Sequence, residues 1–192
     1  MRTYQKKIGS STRKVSGQLR TPNPTEQWVR TNLDALLRGY QRKLGTFHAM
    51  SGMALGSDQI FTEVALALGI DVIAAVPFDG QESQWPEPAQ HHYHQLLHQC
   101  SAVHHVCEPG YEAWKMLRRD AWMVERCTYA IAVWDGGNGG TGHTVGLLRK
   151  AGKPTVRIDP LAWAVGPLIL EIVDDHPDTR VTERGLDDWG NR

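Results

Sequence analysis

Short apolar runs alternate along the chain with longer segments in which apolar residues recur at helical spacing. The apolar runs predict strands, and the longer segments predict helices that bury one side against those strands. The predicted strands are 46–50, 71–77, 102–107, 130–134 and 153–158, and the predicted helices are 25–43, 60–68, 87–99, 111–126 and 145–150. This alternation is typical of an α/β domain with a mostly parallel sheet and helices on both faces.

The two ends of the chain give weaker patterns. Thr25 is predicted to cap the first helix, because its hydroxyl can accept a hydrogen bond from the first turn. Near the start, residues 4–8 predict a short edge strand. Near the other end, 161–173 is apolar enough for a helix or a docking segment. We therefore divide the chain into a domain over 1–160 and a docking segment with a polar tail over 161–192.

The stretch 130–145, AIAVWDGGNGGTGHTV, combines a buried strand, a glycine-rich loop and a helix start. Glycine has no Cβ and adopts positive φ readily, so such a loop can bring backbone N–H groups close to an anion. The helix start adds free N–H donors and the positive end of the helix dipole. The pattern predicts a phosphate site, although glycines also cluster in plain turns.

A second unit of the same kind precedes it, since SGMALGSDQ at 51–59 lies between an apolar strand and a helix. Open α/β sheets bind ligands at the carboxyl ends of their strands, which makes this loop a second candidate. The alternative is a tight turn in which Gly52 and Gly56 allow close packing. Asp58 either caps the helix or accepts a hydrogen bond from a ribose hydroxyl. Both loops are expected at one edge of the sheet.

Four motifs together resemble the SLOG superfamily, specifically its YpsA-like branch. Asp135–Val145 fits D-G-x-x-G-G-T-x-x-T-V, Ser51–Gln59 resembles S-G-M-A-L-G-x-D-Q, and Pro77–Pro86 resembles P-F-x-G-Q-x-x-x-W-P. Arg118–Met123 resembles the R-N-x-x-M of the branch, with aspartate in place of the asparagine. The resemblance covers roughly 8–160 and implies a Rossmann-like domain that binds nucleotides or nucleotide derivatives.

The resemblance also implies roles for single residues. Arg119 matches a recurring arginine beside the glycine-rich loop, where its planar fork can reach a phosphate. Either Trp85 or Trp134 is expected beside a base, and the alternative for Trp85 is packing within its own loop. The loop Gly9-Ser10-Ser11 departs from the Gly-His-Arg-Pro of the family. The candidate ligand-binding residues are Gly9, Ser10, Ser11, Gly52, Met53, Gly56, Asp58, Gln59, Trp85, Arg118, Arg119, Trp134, Asp135, Gly136, Gly139, Gly140, Thr141, His143 and Thr144.

The resemblance bears on catalysis as well. The related LOG phosphoribohydrolases end the motif as G-G-x-G-T-x-x-E, and that glutamate position is Thr144 here. Threonine cannot act as a general base or stabilise a developing oxocarbenium ion by charge. We therefore assign no catalytic residue and favour a binding protein, while His143, Asp58 and Asp135 leave another reaction open.

The composition of the chain limits the classes of partner that can be expected. The formal net charge of the 192 residues is +0, which argues against a general nucleic-acid binder. Residues 1–25 carry six basic and no acidic side chains, and 171–192 carry a net charge of −4; we interpret both ends as solvated. Three cysteines without a C-x-x-C motif fit a reducing cytoplasm. The histidines of 87–99 are interpreted as surface residues rather than metal ligands.

Together these features predict a protein that binds a nucleotide or a nucleotide-derived signal related to NAD or ADP-ribose. It would sense or sequester that ligand, for example in conflicts between phage and host. The alternative is a LOG-like hydrolase that cleaves nucleotides at the N-glycosidic or phosphate bond. A homo-oligomer is expected, without a cofactor, a metal ion, a membrane segment or a nucleic-acid partner.

Overall fold

The computed structural model describes residues 23–162 and the backbone of 171–172. The elements in chain order are α1 (Pro24–Leu44), β1 (His48–Ser51), α2 (Ser57–Ala67), β2 (Asp71–Val76), α3 (Glu87–Gln99), β3 (Ala102–His105), α4 (Ala113–Arg126), β4 (Ala130–Val133), α5 (Gly140–Lys150), β5 (Thr155–Ile158) and β6 (Glu171–Ile172). The strand predicted at 4–8, the Gly9-Ser10-Ser11 loop and most of the predicted tail lie outside the described residues. The predicted α/β fold is confirmed.

The described strands form two hydrogen-bonded sheets of three. One has the order β1-β2-β3 and is parallel, with Ala49 opposite Val72. The other has the order β4-β5-β6, in which β4 and β5 are parallel and β6 runs antiparallel to β5. Of the two alternatives for 161–173, a helix or a docking segment, the helix is wrong at Glu171 and Ile172, which extend the second sheet as a strand. Their backbone N–H and C=O groups pair with β5 rather than with a helical turn.

One apolar cluster joins the two sheets. It contains Ala49 and Val72 of the first sheet, Ile158 of the second, and buried residues of α1 and α2. Further along β2, Ala74 and Val76 pack against α3. Alternate residues of a strand point to opposite faces, so α1, α2 and α3 share one face of β2.

The opposite face is covered by α4 and α5. Helix α4 packs against β2 and α5. In β4, Ala132 packs against Val145 of α5, whereas its neighbours Ile131 and Val133 turn towards the cluster under α1. The predicted arrangement of helices on both faces is therefore confirmed, and it leaves the loops after β1 and β4 at the carboxyl edge.

The cap of α1 and the start of α5 differ from prediction. Helix α1 is capped by Asn23, whose Oδ1 accepts from Glu26 N at 2.8 Å, so Thr25 is not the cap. Pro24 occupies the first helical position, where its missing N–H costs nothing. Helix α5 begins at Gly140, five residues before the first predicted apolar position, so the last glycines of the loop belong to its first turn. Among the described helices, none has the length and apolar character needed to cross a bilayer.

Candidate functional site

The glycine-rich loop after β4 is fixed by its own hydrogen bonds. Asp135 Oδ1 accepts from Gly137 N at 2.9 Å, and Trp134 Nε1 donates to Gly137 O at 2.8 Å. Gly136 has φ +88°, a left-handed conformation that favours glycine. The loop therefore holds one defined shape before any ligand enters.

The start of α5 presents free donors above this loop. Gly139 is the N-cap residue and offers no side chain, and the first turn contains no acidic residue. The first helical bond runs from His143 N to Gly139 O at 2.9 Å. The N–H groups of Gly140, Thr141 and Gly142 have no acceptor within the described part of the chain. Three free N–H groups at the positive end of a helix dipole form a suitable site for an anion.

Gly142, which sequence reasoning did not select, closes the loop onto the helix. A Cβ at this position would lie 2.8 Å from Gly137 O and 3.5 Å from Trp134 Nε1. The backbone oxygen of Gly137 is itself held by Trp134, so it has little freedom to move away. The signal was the third glycine of the run GGTG, which is required by close backbone approach rather than by positive φ.

The loop after β1 is also strained in a defined way. Met53 is fully buried and has φ +57°, an unusual conformation for a residue with a side chain. Its Sδ accepts from Thr62 Oγ1 at 3.2 Å, which ties the loop to α2. Gly56, with φ +109°, is the N-cap of α2, so Asp58 lies inside the first turn rather than at the cap. Its Oδ2 instead accepts from Ala54 N at 3.2 Å. Strained backbone of this kind is found where a loop must hold a binding geometry.

Two neighbouring side chains of α4 connect the loops. Arg119 Nη1 donates to Gly52 O, and Arg119 Nε donates to Asp120 Oδ1 at 2.8 Å. Asp120 Oδ2 in turn accepts from Thr144 Oγ1 at 3.0 Å, in the first turns of α5. Only 8% of the Arg119 side chain and 12% of the Asp120 side chain are exposed. The ion pair therefore ties the loop after β1 to the start of α5, next to the glycine-rich loop after β4.

Arg119 comes so close to Gly52 that no side chain fits there. A Cβ on Gly52 would overlap Arg119 Nη1 and would lie 2.6 Å from Cζ and 2.8 Å from Asp58 Oδ2. Asp58 Oδ2 is 3.9 Å from Arg119 Nη1, so the guanidinium lies between two carboxylates. Arg119 is thus a buried connection between elements. Its Nη2 has no acceptor among the described residues.

Comparison with known proteins agrees with this geometry. A family model described as the YspA SLOG family matches residues 21–154. The chain belongs to the YspA SLOG family. The uncharacterized SPbeta prophage-derived protein YoqJ of Bacillus subtilis (strain 168) is 26% identical over 144 residues, which cover 67% of this chain and 84% of YoqJ. Membership of this SLOG family indicates a nucleotide-related binding domain.

The SLOG domain does not bring all predicted site residues to the two loops. Trp85 packs edge to face on Tyr93, with ring centroids 5.4 Å apart, and belongs to the apolar surroundings of a buried cluster that also contains Met53 of the loop after β1. Arg118 is exposed and turns away from the buried Arg119. Thr141 and His143 are exposed on the first turn of α5, beside the free N–H groups.

Arg157 in β5 is a second cation beside the glycine-rich loop, which the sequence did not indicate. Its Nε donates to Trp134 O at 2.9 Å and its Nη2 donates to Asp159 Oδ2 at 3.0 Å. The guanidinium also lies over the Trp134 ring, 5.3 Å from the centroid. A Cβ on Gly136 would come within 3.4 Å of Nη2, so Arg157 borders the glycine-rich loop. Only the strand register reveals this position.

Two of the four histidines of α3 contact carboxylates. His92 Nε2 lies 2.5 Å from Glu63 Oε1, and His94 Nε2 lies 3.2 Å from Glu82 Oε1. Within the described residues, no group of three histidine, cysteine or carboxylate side chains could hold a metal ion. Structural contacts with Glu63 and Glu82 account for these two histidines.

The pKa of Asp58 is shifted by its surroundings in the site. Burial raises the pKa of Asp58 above its ordinary value of 3.8, and the Asp120 carboxylate adds to the rise, whereas Arg119 and the Ala54 N–H oppose it. Although 37% of the Asp58 side chain is exposed, the net shift of its pKa is upward. The folded state thus holds the Asp58 proton more tightly than the unfolded chain does.

This shift predicts a pH dependence of stability. Because the pKa is raised on folding, the contribution of Asp58 is fully present below pH 3.8 and is lost as the pH rises through the raised pKa. The variant Asp58→Asn lacks this loss. We therefore expect its Tm, relative to the parent protein, to increase between about pH 4 and about pH 7 in thermal melts. Parallel pH profiles for the two proteins would contradict the raised pKa.

Proposed function

We propose that the chain binds a nucleotide or a nucleotide-derived molecule at the carboxyl edge of its strands. The observation that carries the proposal is the uncapped start of α5, where the free N–H groups of 140–142 stand above a prearranged glycine-rich loop. A phosphate supplies the acceptors and the negative charge that this helix start lacks. Family membership supports the same ligand class.

The second loop provides the complementary part of the site. Asp58 is half-exposed near Arg119, where its carboxylate can accept a hydrogen bond from a ribose hydroxyl. Arg119 Nη2 is placed between the loops and can donate to a phosphate oxygen. The ligand would therefore span from the start of α5 to the first turn of α2, with its phosphate on α5 and its sugar near α2.

We infer that the chain senses or sequesters this ligand, related to NAD or ADP-ribose, rather than consuming it. Thr144 holds the position where LOG enzymes carry a glutamate, and its hydroxyl is engaged by Asp120 and by Gly140 O at 3.0 Å. A threonine in this arrangement positions α5 and supplies no charge for hydrolysis. The prophage origin named for YoqJ supports a role in conflicts between phage and host.

One observation favours hydrolysis as a second candidate function. The raised pKa of Asp58 increases the protonated fraction of a half-exposed carboxyl group, and a protonated carboxyl can donate to a leaving base as a general acid. N-glycosidic cleavage would use this proton and a water molecule as the nucleophile. The product would then accumulate beyond one equivalent of protein.

A mass-spectrometric inventory tests the proposal. The pure protein is incubated with a panel of nucleoside mono- and diphosphates, NAD, ADP-ribose and cyclic ADP-ribose, separated from free ligand and then heat-denatured. One unchanged compound released near stoichiometry supports sensing or sequestration, and product in excess of protein supports hydrolysis instead. The control is Gly140→Phe, because a Cβ there meets no atom within 4 Å and the ring would fill the anion site without disturbing the core. Equal retention by parent and control, or no retention by the parent, would overturn the proposed site.

A further inference from the structure

Gln59 has a buried amide without a partner. The residue is 4% exposed, and its Nε2 is fully covered and has no hydrogen-bond acceptor in the described structure. The domain contains a matched case, Gln81, which is 8% exposed and whose Nε2 donates to Tyr93 Oη at 3.1 Å. Buried donors are almost always paired, because an unpaired one costs folding free energy. An exception therefore calls for a partner that enters later.

The position of Gln59 indicates where that partner lies. It is the third residue of α2 and follows Asp58, whose carboxylate borders Arg119. Side chains in a helix tilt towards its amino end, which directs Gln59 towards the loop after β1. That end of α2 has a glycine N-cap and no side-chain cap, so the first N–H groups of α2 also lack acceptors within the described part of the chain.

The amide group can turn towards the ligand without a change of backbone. Nε2 is fully covered, whereas Oε1 of the same amide is neither bonded to a described residue nor fully covered. The terminal torsion of glutamine is broad, so a half-turn exchanges the two atoms: Nε2 then faces the ligand, and Oε1 takes the covered position. The carboxamide thus lies at the boundary between the core and the site.

We infer that Gln59 is a specificity-determining residue that donates a hydrogen bond to a ribose hydroxyl oxygen of the bound nucleotide, beside Asp58, which accepts from the neighbouring hydroxyl. This inference rests on the proposed nucleotide function. The pair offers one donor and one acceptor side by side, which matches the vicinal hydroxyl groups of ribose. A deoxygenated sugar leaves both groups unpaired, and sites built in this way reject such analogues strongly.

The experiment compares Gln59→Leu with Gln81→Leu as a matched control. The Gln59 variant removes an unpaired donor, so its Tm without ligand should stay equal or rise. The control leaves Tyr93 Oη without its donor, so its Tm should fall. A fall in Tm for Gln59→Leu as large as that of the control would show a protein partner for this amide and would overturn the inference.

Binding is measured with the four ribonucleoside 5′-monophosphates, ADP-ribose and the 2′,3′-dideoxy counterparts of the monophosphates. We expect the parent to prefer ribose by about tenfold or more, and Gln59→Leu to lose about tenfold of that preference while Gln81→Leu keeps it. If Gln59→Leu discriminates as the parent does, the inference is wrong and the proposed function stands. If the parent binds none of the probes, the proposed function fails and the inference fails with it.

Discussion

Gly142→Ala will lower nucleotide affinity by about 100-fold, equivalent to the loss of one or two charge-assisted hydrogen bonds. The added Cβ would lie 2.8 Å from Gly137 O, and that oxygen is held by Trp134 Nε1. Either the loop or the first turn of α5 must move. The free N–H groups of 140–142 then no longer converge with the loop on one anion. Isothermal titration with the ligand identified by mass spectrometry measures the loss.

The same helix provides the control. A Cβ on Gly146 would meet no atom within 4 Å, so Gly146→Ala gains helix propensity without a clash. We expect this control to raise stability by about 1 kcal/mol, a Tm increase of roughly 2–4 °C, and to bind ligand as the parent does. Both variants gain the higher helix propensity of alanine, so the difference between their ligand affinities reports the contact with Gly137 alone. Equal affinities for both variants would show that the loop is not the binding element.

The two loops could be predicted from the sequence, because a glycine cluster that follows an apolar run is typical of the turn between a strand and a helix at the carboxyl edge of an α/β sheet. The sequence also selected Arg119 and Thr144 through a resemblance. It did not reveal that Asp120 joins them, because the pairing of two residues 24 positions apart depends on how α4 packs on α5. Arg157 was missed for the same reason, since it reaches the loop only through the register of β4 and β5.

Local rules competed where predictions failed. Thr25 and Asn23 both carry capping side chains, and the proline between them decided in favour of Asn23 by taking the first helical position. The glycines at 140 and 142 favoured a loop, yet they form the first turn of α5. Residues of low helix propensity are tolerated at this helix start, because the backbone of Gly142 lies close to Gly137 O and leaves no room for a side chain. Trp85 packs on Tyr93 of α3, and its stacking on a base stays a prediction.

The charges around Arg119 connect the two loops of the candidate site. One buried guanidinium lies between Asp58 and Asp120, and these groups arise from two different elements. The Asp58 contact is long at 3.9 Å, whereas the Asp120 contact is a direct hydrogen bond at 2.8 Å. Asp120 also accepts a hydrogen bond from the hydroxyl group of Thr144. Stability and binding geometry therefore depend on the same carboxylate.

Asp120→Ala will destabilise the fold by about 3 kcal/mol, because it leaves the buried Arg119 guanidinium without its direct partner. For a chain of this length the Tm should fall by roughly 6–12 °C. Asp120→Asn should lose much less, since its Oδ1 can accept from Arg119 Nε while its Nδ2 donates to Thr144 Oγ1, whose own proton still bonds to Gly140 O. Thermal and urea unfolding of the two variants measures the difference.

An exposed ion pair serves as the control for this prediction. Asp34 accepts from Arg38 on the surface of α1, where both side chains remain largely exposed, so Asp34→Ala should leave the Tm nearly unchanged. The same substitution on two helices then separates the loss of a buried charge partner from the loss of a surface one. If Asp120→Ala has the same Tm as Asp34→Ala and keeps its ligand affinity, Arg119 does not need Asp120 as a hydrogen-bond partner. The link between the two loops then does not contribute to stability. If Asp120→Ala loses both stability and affinity while Asp120→Asn retains them, the hydrogen bonds of the network, more than its charge, hold the two loops in register.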